Sequence, residues 1–265
     1  MEDHRDLLRD AFGESSDSED DDDLQKREIP SQDPNNGAHE SIFEKNPSWE
    51  RISEIKGLSL CRDFLSPHRQ SSLLAAIHNE GWFTAPSHNQ AMRFGDLPKW
   101  AIELVNLIRE VVHFSEDASE YVDIMAYDED KEVSIFPSNL LWREPLFDQL
   151  IVNVYQPGEG ICSHVDLLRF DDGIAIVSLE SSCVMHFSRA ESEDSSCNVN
   201  ESETSTNIPV YLSPGSLVLM WGEARYLWKH EINRKPGFQK WEGKDIDQKQ
   251  RTSITLRKLC HNENE

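Results

Sequence analysis

What this sequence does without narrows the reading before any motif is considered. No apolar run approaches the roughly 20 residues that a bilayer span requires. Met1-Glu2-Asp3-His4-Arg5 leads into no apolar segment, so neither a membrane span nor a secretory signal is expected. The five cysteines, Cys61, Cys162, Cys183, Cys197 and Cys260, are odd in number and include no Cys-x-x-Cys pair. That argues against a disulfide framework and against a structural zinc site. A reducing compartment, cytoplasmic or nuclear, is the expectation, with Cys162 an inert buried thiol. Basic residues are scarce too: 26 Lys and Arg stand against 49 Asp and Glu, for a formal net charge of −23. With no basic patch, strong sequence-independent attachment to DNA is not expected; acidity of this kind serves solubility.

The apolar content, 37% of 265 residues, is low for a chain this long and points to segments that dilute an ordinary core. Residues 1–50 hold sixteen of the acidic and five of the basic residues, a net of −11. The block Glu14–Asp23 (ESSDSEDDDD) repels itself and has little to bury, so residues 1–47 read as an acidic disordered tail. A second acidic, serine-rich stretch, 189–207, reads as a surface insertion, and residues 48–260 read as one domain around it.

Within that domain, Leu58-Ser59-Leu60-Cys61 looks like a strand. Ser66-Pro67 is an N-cap and first-turn pair, followed by Leu73, Leu74 and Ile77 at helical spacing and a stop at Gly81. A second helix is expected from Pro98 to Val112, with Trp100, Leu104, Leu107, Ile108 and Val111 as its apolar stripe. The connection between them, Gly81–Leu97, and the stretch 115–146 read as loop. From Leu150 on the pattern is strand after strand: 173–179, 183–187, 209–212, 216–221, 226–232 and 251–258. Two helices followed by many short strands predict an α+β fold: a double-stranded β-helix (jelly-roll) core with N-terminal helices packed on one sheet.

The chemistry gathers at LIVNVYQPGEGICSHVD, Leu150–Asp166. Strand alternation puts Asn153 and Tyr155 on one face, with Leu150, Val152 and Val154 on the other. Pro157-Gly158 makes a turn, and beyond it His164 and Asp166, two apart, point one way. An imidazole and a carboxylate so placed are two-thirds of a facial metal triad. His230, in a β-like segment late in the chain, is the candidate third ligand. In Arg251–Arg257, Arg251, Ser253, Thr255 and Arg257 share a face opposite Thr252, Ile254 and Leu256. Two arginines on an inward face imply a buried anion, and a dicarboxylate suits the guanidinium fork. The alternative is an exposed edge strand whose arginines face water.

Asn153-x-Tyr155, His164-x-Asp166, His230 and Arg251-x5-Arg257, in this order and spacing, resemble the signature of AlkB-type Fe(II)- and 2-oxoglutarate-dependent dioxygenases. The resemblance implies Fe(II) on His164, Asp166 and His230. It also implies 2-oxoglutarate with its distal carboxylate on Arg251 and Tyr155, Arg257 and Asn153 near its other end, and O2 as co-substrate. Zinc accepts such ligands as well, but hydrolysis would not need the Asn/Tyr and Arg/Arg faces. Gly158–Asp166, Gly222–His230 (GEARYLWKH) and Arg251–Lys258 (RTSITLRK) look most like the branch that hydroxylates a modified tRNA wobble uridine, without that branch's RNA-recognition and methyltransferase domains. A protein-directed branch shares Ala224-Arg225-Tyr226 and His230-Glu231-Ile232.

The favoured substrate is therefore a nucleic-acid base, RNA ahead of DNA, oxidised by hydroxylation or demethylation. The same chemistry on a protein side chain is the second reading. A non-catalytic binding module, its acidic tail recruiting a basic partner, is the third. Gly81–Leu97 corresponds in position to the family's substrate lid. There His88, Asn89, Gln90, Arg93 and Phe94 are candidates for base contacts, and Trp82, Phe83 and Phe94 are equally candidates for packing.

Overall fold

The run Ile174-Ala175-Ile176-Val177-Ser178-Leu179 offers almost no polar face to solvent, so a strand made from it has to be covered on both sides. In the computed structural model of the chain, residues 47–85, 87–123, 134–190 and 207–260 are described, with the side chains of 116–123 excepted. The chain divides into Met1–Ser41 and Ile42–Glu265, and every described residue belongs to the second unit. The expected acidic tail through residue 46, the body of the insertion (191–206) and residues 124–133 lie outside the described residues.

The larger sheet contains β1 (Trp49–Arg51), β2 (Leu58–Cys61), β3 (Gln90–Phe94), β4 (Gln149–Tyr155), β6 (Ile174–Leu179), β9 (Leu217–Met220) and β13 (Arg251–Arg257). Their order is β1-β2-β9-β6-β13-β4-β3, which puts the apolar run in the middle. The smaller sheet, β5-β10-β7-β8, uses β5 (Ile161–His164), β7 (Cys183–Arg189), β8 (Asn207–Leu212) and β10 (Trp228–Ile232). A hairpin of β11 (Lys240–Trp241) and β12 (Lys244–Asp245) stands apart. The helices are α1 (Pro67–Asn79) and α2 (Lys99–Asp123), with single turns α3 (Ser138–Leu141) and α4 (Glu223–Tyr226).

The two faces of the larger sheet meet different layers. One carries Leu150, Val152, Ala175, Val177, Leu179, Ile254 and Leu256 against the buried stripe of α2, Ala101, Leu104, Val105, Ile108, Val111 and Val112, and against Leu73 and Ile77 of α1. The other carries Leu58, Leu60, Ile174, Ile176, Val218 and Met220 against Met185, Phe187, Val210, Leu212, Trp228 and Ile232 of the smaller sheet. This is the expected jelly roll with helices on one sheet. Side chains so buried contribute about 1.5–3 kcal/mol each, and Ile108→Ala would cost about 2–5 kcal/mol. The predicted cap forms: Ser66 Oγ accepts from Arg69 N at 3.4 Å, Pro67 opens α1, and Gly81, at φ 68°, follows its end.

Four readings need correction. The 81–97 connection is not all loop: Gln90–Phe94 pairs in antiparallel register with β4 as the edge strand β3. Its alternation of Gln, Ala, Met, Arg and Phe mixes polar and apolar residues on both faces, which conceals the period-2 signal. The 115–146 stretch is not loop at its start, because α2 runs on to Asp123. The expected strand 226–232 begins at Trp228, the residues before it being wound into the single turn α4. Asp166 lies beyond the end of β5 rather than on the strand with His164.

Candidate active site

Two glycines bring the histidines together. Gly158, at φ 81°, makes the turn after β4. A Cβ on Gly160 would stand 2.0 Å from the Ile232 carbonyl oxygen, so only glycine lets β5 close on β10. The pairing that results sets His164 directly opposite His230, with ring centroids 4.4 Å apart. Asp166 Oδ2 lies 3.7 Å from His230 Nε2, and one donor atom from each of the three residues falls within 4.8 Å of the others.

The protonation states suit a divalent cation, which requires neutral imidazoles and an ionised carboxylate. His164 Nδ1 is 2.8 Å from the Cys162 carbonyl oxygen. A carbonyl can only accept, so Nδ1 is the donor nitrogen and Nε2 is the one available to a metal. Burial pushes His230 down to about 4; Asp166 opposes this, and the nearby charges of His164, Arg225 and Arg257 add to it. Near neutral pH the His230–Asp166 contact is therefore no ion pair. Burial raises the Asp166 carboxyl, but the charges facing it more than reverse the effect and hold it below the ordinary range. Those charges are first His230 and then Arg257, whose Nη1 also donates to Asp166 Oδ1 at 2.5 Å.

Beside the triad is a cavity of about 100 Å³ lined by Gln90, Asn153, Tyr155, Arg251, Ser253 and Arg257 among others. Its walls come from the register of β13 on β4, which sets Arg251 opposite Tyr155, Ser253 opposite Asn153 and Arg257 opposite Gln149. The arginines are thus buried, not on an exposed edge. Arg251 is 4% exposed; it donates to Ser178 Oγ at 2.8 Å, while its buried Nε has no partner among the described residues. Its guanidinium carbon is 5.5 Å from the Tyr155 ring centroid. Burial raises the Tyr155 hydroxyl above its ordinary range, with Arg251 opposing, so it stays a neutral phenol. Arg257 is held on three sides: Nε donates to Gln149 Oε1 at 2.7 Å, Nη1 to Asp166, and the Phe170 ring centroid is 3.8 Å from its guanidinium carbon. Asn153 Oδ1 accepts from Gln90 Nε2 at 2.7 Å.

The candidate residues His164, Asp166, His230, Asn153, Tyr155, Arg251 and Arg257 all line this one cavity. Of the lid residues, Gln90 lines it as well, whereas Arg93 sits on the opposite face of β3, over the Trp82 ring at 4.4 Å. Asn89 contributes its carbonyl to Val154 N. Cys162 is exposed rather than buried, because β5 is an edge strand of the smaller sheet. Sequence reasoning missed Gln149, Ser178, Phe170 and Arg225. Gln149 was within reach, since the face of Asn153 and Tyr155 continues two steps back through Ile151 to it. The only trace of Ser178 was a lone hydroxyl in an apolar run.

The donor set and the unpaired arginine charge beside it fit a metal and a small anionic co-substrate, and comparison with known proteins agrees. A family model described as the 2OG-Fe(II) oxygenase superfamily matches residues 57–257. An Arabidopsis thaliana protein, "Alkylated DNA repair protein ALKBH8 homolog", is 27% identical over 77% of this chain and 59% of its own length. The Xenopus tropicalis "tRNA (carboxymethyluridine(34)-5-O)-methyltransferase alkbh8" is 27% identical over 77% of this chain, which spans only 32% of that protein. In fold, the solved structure of OsALKBH1 is similar at a TM-score of 0.50, with 16% identity over 76% of this chain and 98% of that one. The triad, half-buried at His164 and buried at Asp166 and His230, and its arginine-lined cavity therefore sit on a chain that belongs to the 2OG-Fe(II) oxygenase superfamily, as a dioxygenase of AlkB type that uses Fe(II), 2-oxoglutarate and O2.

Proposed function

We propose that the chain oxidises a nucleic-acid base, RNA ahead of DNA, with Fe(II) on His164, Asp166 and His230 and 2-oxoglutarate on Arg251, Tyr155, Arg257 and Asn153. The observation that carries the co-substrate assignment is Arg251. Its charge is buried with a serine hydroxyl as its side-chain hydrogen-bond acceptor among the described residues, its Nε has no partner among them, and the residue lines the cavity. A carboxylate there would complete the fork, and the neutral Tyr155 hydroxyl would donate to the same group. Arg257, fixed by Gln149 and Asp166, faces the end of the cavity nearest the triad, and Asn153, opposite Ser253 on the wall between the two arginines, would offer its amide N–H donors to the co-substrate. When bound, the iron supplies the redox chemistry by which O2 turns 2-oxoglutarate into succinate and CO2 and oxidises a substrate C–H bond.

The substrate assignment rests on the rim. Met92 pairs with the cavity-lining Ile151 and Phe94 with Gln149, so both share the cavity's face of the sheet, at 41% and 48% exposure. Leu167 and Leu168, exposed, follow Asp166 directly. Apolar lips beside the Gln90 amide suit a planar base that needs stacking and one or two hydrogen bonds. The name of the Xenopus relative assigns that protein to tRNA. We carry over the RNA class of substrate and not the methyl transfer. A protein side chain is the second reading, favoured by the −12 net charge of residues 51–265, which phosphate would oppose. A non-catalytic module leaves the complete triad and both arginines without a purpose.

Mass spectrometry of modified nucleosides and of tryptic peptides, from cells with and without the protein, separates the readings. A nucleoside whose level depends on the protein and on His164 supports RNA. A hydroxylated peptide with unchanged nucleosides overturns it.

A further inference from the structure

Arg225 is the largest fully buried side chain among the described residues, 1% exposed, yet it is a cation. It stands on α4, five residues before His230, outside the cavity and in contact with none of the candidate ligand side chains through a hydrogen bond. All of its side-chain hydrogen bonds among the described residues go to main-chain carbonyls of one short segment. Nη1 donates to Asp166 O at 3.0 Å, and Nη2 donates to Leu167 O at 2.8 Å and to Phe170 O at 2.9 Å. That segment is the one that leaves β5 after His164 and carries Asp166. It has no strand partner of its own until the isolated bridge at Phe170.

We propose that Arg225 is a positioning residue that sets the Asp166 carboxylate, and through it Arg257, for the metal and co-substrate; this rests on the ligand reading of His164, Asp166 and His230. The planar guanidinium fixes the spacing of the carbonyls it grips. Three of them within five residues fix the backbone from which the Asp166 carboxylate projects. Phe170, held by the same fork, is the ring on which Arg257 lies, and Asp166 is the carboxylate to which Arg257 donates. One buried cation thus orders two of the three supports of Arg257, the third being Gln149. Because α4 leads into β10, it also ties the segment bearing Asp166 to the strand bearing His230. A lysine there offers a point charge with no fixed fork and cannot hold three carbonyls at set separations.

The test is titration of the full-length chain with Co(II), followed by its ligand-field absorption, below the melting transition of each variant. Groups that orient metal ligands typically change affinity by about 10–100-fold when lost. Arg225→Met should weaken Co(II) binding by that factor, and Arg225→Lys, which keeps the charge and carries the test if the methionine variant does not fold, by about tenfold. Arg143 is the control. It too is an arginine on carbonyls, half-buried, those carbonyls being of Leu146, Asp172 and Gly173, with a longer ion pair to Asp171 at 3.5 Å, but none of these partners belongs to the 166–170 segment. Arg143→Met should lower the melting temperature and leave Co(II) affinity within about twofold of wild type, the scatter of independent sites. Wild-type affinity in the Arg225 variants, or an equal loss in Arg143→Met, overturns the positioning role. Undiminished Co(II) binding by Asp166→Ala instead overturns the ligand reading beneath it.

Discussion

Replacing Arg251 with methionine should have opposite consequences for the empty protein and for its complex with 2-oxoglutarate. Without ligand the guanidinium is buried with one hydroxyl acceptor and a free Nε among the described residues, so burial of its charge is poorly compensated. Exchange for an apolar side chain of similar length removes that penalty and leaves Ser178 Oγ without its donor, a cost of about 1–3 kcal/mol. The two effects nearly cancel, and the melting temperature should hold or rise. In the complex, the variant lacks the partner of a buried carboxylate. Breaking such a pair costs about 3–5 kcal/mol, which at about 1.4 kcal/mol per decade is a hundredfold or more in affinity. The assay is thermal unfolding with Mn(II), with and without 2-oxoglutarate at a hundred times the wild-type Kd. The ligand should stabilise wild type by about 2.7 kcal/mol and the variant by about 0.4 kcal/mol. For a domain of this size those values are about 5–10 °C against about 1 °C. A wild-type ligand shift in the variant would refute the carboxylate role, and an intact shift with a collapsed apo melting temperature would refute the ledger behind it.

Other perturbations test other parts of the site. Gln149→Leu removes the Oε1 acceptor of Arg257 Nε, a bond to a charged group that contributes about 1.5–3 kcal/mol. The KM for 2-oxoglutarate should rise tenfold or more, and an unchanged KM would remove Gln149 from the account. Phe94→Ala should raise KM for the nucleic-acid substrate while leaving uncoupled 2-oxoglutarate turnover within about twofold, since Phe94 lies on the rim and not in the cavity; a parallel loss of both would contradict that placement. His230 titrates near 4 when folded and near 6.5 when unfolded. Between those pH values the unfolded chain binds more protons, so the metal-free protein should lose stability as pH falls through the window and lose no more from this group below it. The gap corresponds to about 3 kcal/mol. His230→Gln should flatten the denaturation profile between pH 6.5 and 4, and an unchanged slope would show that another group titrates there.

Local pattern revealed the site more fully than it revealed the frame around it. Period-2 spacing alone put Asn153 with Tyr155 and Arg251 with Arg257 on single faces, and the antiparallel register of β13 on β4 turns both faces to one cavity. The residues that hold these in place were hidden because their partners are far off in sequence. Gln149 meets Arg257 108 positions away, Ser178 meets Arg251 73 away, and Arg225 meets the Asp166 carbonyl 59 away. No window of neighbouring residues expresses such pairings. β3 was hidden for another reason. As an edge strand it has one neighbour, and Gln90, Met92 and Phe94 are exposed while Arg93 covers Trp82, so neither face shows a clean apolar alternation. The end of α2 escaped because the apolar stripe that marked it stops at Val111, whereas Ser115 Oγ bonds the Val111 carbonyl within the helix and accepts from Trp49 Nε1.

The central claim is that three side chains from β5, the segment after it and β10 act together on one metal that turns over 2-oxoglutarate. Succinate release from 2-oxoglutarate by the Fe(II)-loaded protein under O2, compared among wild type, His164→Ala and Asp166→Ala, measures it directly. The account predicts succinate from wild type and none above background from either variant, with all three equally folded by circular dichroism. Equal succinate from the variants and wild type would contradict it.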